Sequence, residues 1–235
     1  ALYNPENSAL IQRVLTMPRK RYERHEISFL TRPEVEALLA APNLSTWSGR
    51  RDQTLLLVAV QTGLRVSELI GLRCQDVTID NGAHVHCIGK GRKERCTPMR
   101  KEATAVLGRW LHEQNGQPEA PLFPNARGTK LSRDGVEYLL GKHIATAIKK
   151  CPSLKSKRVS PHVLRHTAAM DLLQNGVDRS VIALWLGHET PNTVQVYLHA
   201  DLKLKEQALA KTAPLDARSG RYRPDDRLLA FLKGL

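Results

Sequence analysis

Apolar residues recur at helical spacing in the first part of this chain, alternate strictly near its middle, and then return to helical spacing. Thr31-Arg32-Pro33-Glu34 has the form of a capping box with proline in the first turn, and it predicts a helix running toward Ala41. A second helix is predicted over residues 51–61, stopping at Gly63, where a left-handed terminal residue suits glycine. Arg65 then lies just past a helix end, at the start of a short helix containing Ser67, Glu68, Leu69 and Ile70. From 77 to 99 the period drops to two. His84, His86 and Ile88 alternate with Val85 and Cys87, Gly89-Lys90-Gly91-Arg92-Lys93 supplies a turn, and residues 94–99 return. Helical patterns resume over 101–113 and 133–150, separated by a loop rich in proline and glycine. Ser160 suits an N-cap, Pro161 a first helical position and Gly176 an exit. Asp178 caps a helix ending at Gly187, and Thr190-Pro191 opens another that places Tyr197 near its second turn. The pattern implies an α+β fold, mostly α-helical, with a small antiparallel β-sheet or hairpin.

The two ends read differently. Residues 1–28 form a polar lead-in whose basic cluster (Arg19, Lys20, Arg21, Arg24) is diluted by Glu23 and Glu26. Beyond Lys211 the chain passes through a breaker-rich stretch from Pro214 to Pro224, then shows Leu228, Phe231, Leu232 and Leu235 at helical spacing. The start at Ala1 gives the sequence the look of a piece of a longer protein. No apolar run approaches a membrane span, and no charged stretch followed by an apolar segment marks a secretory leader. A cytoplasmic, nucleoid-associated protein is expected.

Charge narrows the partner. Thirty-six Lys and Arg against 23 Asp and Glu leave +13, which suits a polyanion. Aromatics at 5% are too few for a platform that stacks single-stranded bases, so phosphate contacts to duplex DNA fit better. Cys74, Cys87, Cys96 and Cys151 form no CxxC pair. His84-Val85-His86-Cys87 reads as one half-buried strand, and no second paired cluster at zinc-site spacing accompanies it. Neither a metal nor another cofactor is expected.

Six residues then stand out: Arg65, Lys90, His162, Arg165, His188 and Tyr197. A phosphodiester resists attack until its non-bridging oxygens are neutralised. Arginine does this best, because its planar fork matches phosphate and stays charged. Tyrosine can serve as nucleophile once its phenol loses a proton, lysine can protonate a departing oxygen, and histidine can shuttle protons near neutrality. Taken singly, each residue has an ordinary structural explanation; the specificity lies in the set.

The segments carrying that set are Thr62-Gly63-Leu64-Arg65-Val66-Ser67-Glu68, Gly89-Lys90-Gly91-Arg92-Lys93-Glu94-Arg95, Ser160-Pro161-His162-Val163-Leu164-Arg165-His166, and Leu186-Gly187-His188 with Tyr197 nine residues on. In this order they resemble the tyrosine recombinases, the phage-integrase family, and within it the Xer-like and transposon-integrase members. The resemblance implies a catalytic domain over 29–212, an interdomain linker over 1–28, and a linker with a C-terminal helix for protomer exchange over 213–235. It also implies an N-terminal core-binding domain that this sequence lacks. It implies a site-specific recombinase or integrase that cuts and rejoins duplex DNA, as in transposition, and that works as a tetramer on paired sites without metal or ATP. Arg65, His162, Arg165 and His188 would surround the scissile phosphate, Tyr197 would attack to give a 3′-phosphotyrosine, and Lys90 would act as general acid, with Lys93 its competitor. Glu68 would brace the Arg65 turn. Arg92, Lys93, Lys155, Lys157 and Arg158 are the expected DNA contacts. A DNA-binding regulator that does not cut, and a type IB topoisomerase, are the alternatives.

Overall fold

The computed structural model describes residues 5–17, 27–80, 82–89, 94–115 and 117–187. Helix α1 covers Ser8–Leu15, in the stretch expected to be a plain linker, and none of its residues is buried. Helix α2 (Arg32–Leu39) starts where the capping pattern placed it, with Glu34 Oε2 accepting the Thr31 N–H at 2.8 Å. Helix α3 (Trp47–Thr62) begins four residues earlier than the apolar period suggests, because Thr46 caps it by accepting the Gly49 N–H. It ends at Gly63 in the left-handed region, with φ of 63°. Helix α4 (Val66–Gly71) follows at once.

Three antiparallel strands come next in the order β1 (Val77–Thr78), β2 (His84–Ile88) and β3 (Glu94–Pro98). Val85 pairs with Thr97 and Cys87 with Arg95, so these four residues share the face turned toward the protein. Helices α5 (Lys101–Gln114), α6 (Arg133–Ala147), α7 (Pro161–Gln174) and α8 (Arg179–Leu186) complete the described structure. Asp178 caps α8 by accepting the Ser180 N–H.

Helix α3 lies at the centre, packed against α2, α5 and α7. Leu55, Leu56 and Val58 on it join Leu38, Leu107, Trp110, Leu122, Phe123 and Leu140 in a closed core. Trp110 keeps its ring in that core by donating from Nε1 to the Leu122 carbonyl at 2.8 Å. A polar knot sits inside the same layer. Asp52 accepts from Arg51 at 2.7 and 2.9 Å, pairs with His143 Nε2 at 2.8 Å, and Arg51 also donates to the Pro124 carbonyl. Among the described residues, no helix is long and apolar enough to cross a membrane.

Candidate active site

Two helix ends meet where the candidate residues gather. Both α3 and α8 finish in left-handed glycines, Gly63 and Gly187, so each chain reverses sharply just before a candidate residue. The meeting is close as well as left-handed. A Cβ on Gly63 would lie 2.6 Å from Leu186 Cδ2 and 3.1 Å from Ala168 Cβ. Close approach and positive φ together explain the glycines of the Thr-Gly-Leu-Arg and Leu-Gly-His segments.

Arg165 locks this junction. Its side chain comes from the first turns of α7, is 5% exposed, and donates to the Gly63 carbonyl at 2.6 Å and the Leu186 carbonyl at 2.7 Å. Both acceptors are carbonyls at helix C-termini, which lack helical partners and carry the negative end of the dipole. A buried guanidinium is costly unless so paired. The pairing ties the segment two residues before Arg65 to the segment two residues before His188.

Arg65 stands at the N-cap of α4 with its side chain 34% exposed, and it reaches back to Glu68 through Nη1 at 3.0 Å. Glu68 is itself buried, at 4% side-chain exposure, and its Oε2 accepts the Arg65 backbone N–H at 2.7 Å. Glu68 therefore braces the Arg65 turn, as its spacing suggests. Arg95 was not among the candidates, yet its two terminal nitrogens grip the same carboxylate at 3.2 and 2.7 Å. Burial alone would raise the Glu68 pKa. The hydrogen bonds from Arg95 and the Arg65 backbone, then the Arg95 charge and the Arg65 side-chain bond, outweigh it and hold the carboxyl below its ordinary range.

His162 is exposed in the first turn of α7, one helical turn from half-buried His166, and the rings stack with centroids 6.4 Å apart. Burial, then the neighbouring His162 and Arg165, push the His166 pKa down. The described structure thus ties Arg165 to the turn that carries Arg65, with His162 in the first turn of the same helix α7. Lys90, His188 and Tyr197 lie outside the described residues, as do Arg92 and Lys93.

The expected DNA contacts divide. Lys155 and Arg158 are exposed on the turn leading into α7. Lys157 is turned inward instead. Its ammonium donates to Glu34 Oε2 at 2.7 Å and to the Phe29 carbonyl at 2.8 Å, because Glu34 is buried and needs a cation. Burial would raise the Glu34 pKa, but bonds from Lys157, Ser153 and Thr31 bring it to about 2. Lys157 is therefore a strut between α2 and the α7 approach and not an exposed cation. In the His84–Cys87 segment, His84 Nδ1 pairs with the Gly82 carbonyl and His86 Nε2 lies 3.4 Å from Glu94.

Sequence signals for the missed residues exist. Arg95 falls in phase with Thr97 on a half-buried strand, and an inward arginine requires a buried carboxylate. Nothing local names Glu68 as that partner, 27 residues away.

Comparison with known proteins now bears on the geometry. The family model described as phage integrase family matches residues 28–203. The integrase/recombinase homologue y4rC of Sinorhizobium fredii is 62% identical over 98% of this chain and 70% of its own length. Tyrosine recombinase XerD of Pseudomonas aeruginosa is 39% identical over 72% of this chain, but the alignment spans only 56% of that protein. Among solved structures, the XerH site-specific recombinase in a post-cleavage complex with its difH substrate superposes with a TM-score of 0.67 at 27% identity. That match covers 80% of this chain and 54% of XerH.

Proposed function

The chain belongs to the phage integrase family, the tyrosine recombinases, and from that premise we propose that it breaks and rejoins duplex DNA through Tyr197. Enzymes of this family carry out site-specific recombination; the chemistry assigned to individual residues here is our reading. The observation that carries it is Arg165, whose two carbonyl bonds clamp the approach to Arg65 against the approach to His188.

Arg65 and Arg165, with His162 and His188, neutralise the non-bridging oxygens as charge builds on them. The Tyr197 oxygen attacks phosphorus, and its proton passes to a histidine of the set. The bond from phosphorus to the 5′-oxygen breaks, Lys90 protonates that oxygen, and a 3′-phosphotyrosine remains. Because the linkage keeps the energy of the broken bond, a partner strand's 5′-hydroxyl reverses the step without ATP. The guanidinium groups supply the charge that a metal would otherwise bring. XerH was solved on its difH substrate, which supports duplex DNA as the partner of this chain too. Lys155 and Arg158 add phosphate contacts; their exposure and the net charge of +13 support this. Residues 29–212 act as the catalytic domain, with 1–28 as interdomain linker and 213–235 as a linker with a C-terminal helix exchanged within a tetramer on paired sites.

A nicked suicide duplex carrying the cognate site tests this. It is expected to trap a 3′-linked covalent adduct that disappears in Tyr197→Phe. An adduct mapped to Tyr138 or Tyr222, or no adduct from the full-length protein, would overturn the assignment.

A further inference from the structure

We infer that Arg95 is a positioning residue for strand cleavage: through Glu68 it sets Arg65, and through Gly187 it sets the approach of the chain to His188. The inference rests on the strand-cleavage reading above. Arg95 lies on β3, directly after the connection that contains Lys90. Its side chain is 12% exposed, far below the norm for arginine. A buried arginine on a strand needs a reason, and its contacts supply one.

The guanidinium faces two things at once. On one side its fork matches the Glu68 carboxylate, Nη1 to Oε1 and Nη2 to Oε2, the two-point geometry that fixes a carboxylate in plane as well as in place. Glu68 Oε1 also receives Arg65 Nη1, so the plane that Arg95 imposes determines where the Arg65 fork sits. On the other side a Cβ on Gly187 would fall 2.7 Å from Arg95 Nη1 and 3.2 Å from its Cζ. The guanidinium thus lies against the Gly187 backbone, immediately before His188. Among the described residues the Arg95 Nε has no hydrogen-bond partner.

One side chain thereby joins three segments of the proposed site: the α4 turn with Arg65, the end of α8, and the strand rooted beside Lys90. Lysine could replace the charge of Arg95 but not its fork. Arg95 acts through Glu68 and Gly187 and is assigned no contact with the phosphate.

The experiment compares wild type with Arg95→Gln, Arg95→Lys, Glu68→Gln and the Arg95→Gln/Glu68→Gln double variant. It measures single-turnover cleavage at saturating nicked duplex, duplex affinity, thermal midpoint, and the Glu68 carboxyl titration by carbon NMR. Arg95→Gln is expected to slow saturated cleavage about a hundredfold, the scale of an ångström-size misplacement, with affinity changed less than about twofold. Arg95→Lys recovers only part of the rate. The double variant is no slower than the slower single, because both act on one carboxylate. The Glu68 titration, low in wild type, rises in Arg95→Gln.

Wild-type saturated rate in Arg95→Gln, a loss that follows affinity or disappears below the variant's melting range, or losses that multiply in the double variant would each overturn the inference. If wild type itself never cleaves, the strand-cleavage reading falls. The carboxyl titration then decides alone whether Arg95 shares Glu68 with Arg65, and an unmoved titration overturns the sharing.

Discussion

Two of the three buried carboxylates among the described residues are solved with similar parts and opposite purposes. Asp52 and Glu68 each lie almost out of solvent, each accepts from arginine, and each is held below its ordinary pKa against the pull of burial. The Asp52 knot is closed. Its partners Arg51 and His143 are 11% and 3% exposed, so every charge it gathers is spent inside the core between α3 and α6. The Glu68 cluster is open. Arg95 is buried beneath it, but Arg65 remains about one third exposed, with part of its fork turned to solvent. The closed knot ties helices together; the open one leaves a guanidinium accessible, which is what the proposed phosphate contact of Arg65 requires.

The largest effect should come from breaking the closed knot. Asp52→Ala leaves Arg51 and His143 buried without their carboxylate, and removing one partner of a buried pair costs about 3–5 kcal/mol. For a domain of this size that is a fall in melting temperature of roughly 6–20 °C. Calorimetry checks it, and cleavage by the surviving folded fraction should stay near wild type. A variant that melts normally but cannot cut would put Asp52 on the wrong side of the comparison.

Arg65→Ala should show the reverse. Glu68 keeps Arg95 and its backbone donor, so the melting temperature should move by only a few degrees. Saturated cleavage should fall about 10²- to 10³-fold, the usual loss when one preorganised donor to a developing charge is removed. Single-turnover rates beside melting curves check it. A large loss of stability with modest kinetic loss would make Arg65 a second strut.

What the sequence made legible follows from how local each signal is. Helix ends at Gly63, Gly187 and Asp178 were readable because caps and left-handed glycines act on adjacent residues. The start of α3 was hidden because Ser48-Gly49-Arg50 carries no apolar period, leaving the Thr46 cap to define it. The short helix α1 does carry apolar residues at helical spacing (Leu10, Ile11, Val14, Leu15), but they sit inside a polar, basic stretch whose composition reads as linker. Lys157 looked like a surface cation because the carboxylate that captures it lies 123 residues earlier in the chain. Arg95 was passed over likewise: an arginine near a basic turn reads as solvated until its strand phase is followed inward. The motifs named Arg65 and Arg165, and the fold ties the segments that carry them. It does so through Gly63 and Leu186 carbonyls that carry no side-chain signal at all.

Gly187 offers a smaller and sharper test of the open cluster. Gly187→Ala forces an L-residue into a left-handed position at a cost of about 1–2 kcal/mol, and its methyl group must displace the Arg95 guanidinium. Gly176, also at positive φ, has nothing within 4 Å of where a Cβ would lie. Gly176→Ala therefore carries the backbone strain without the collision. Both variants should lose stability by denaturant titration, Gly187→Ala the more because of the collision, while only Gly187→Ala should slow saturated cleavage by the folded protein. Equal kinetic losses would remove the link between Arg95 and the end of α8.

The mildest difference should appear with pH. Asp52 and Glu68 have lowered folded pKa values, so the unfolded chain binds protons first as pH falls. Their stabilisation is complete above the ordinary carboxylate range and is lost below it. His166 is also lowered, so it too binds its proton first in the unfolded chain, but beginning near pH 6.5. Stability should therefore decline gently as pH drops from 6.5, and more steeply once the carboxylates titrate. His166→Asn should flatten the gentle limb, and Glu68→Gln should reduce only the steep one. Denaturant midpoints measured every half unit between pH 4 and 8 resolve the two. A gentle limb that survives in His166→Asn would assign it to another histidine. A steep limb unchanged in Glu68→Gln but reduced in Asp52→Asn would show that Asp52, beside Glu34 with its own lowered pKa, carries the acid limb and that Glu68 adds little to it.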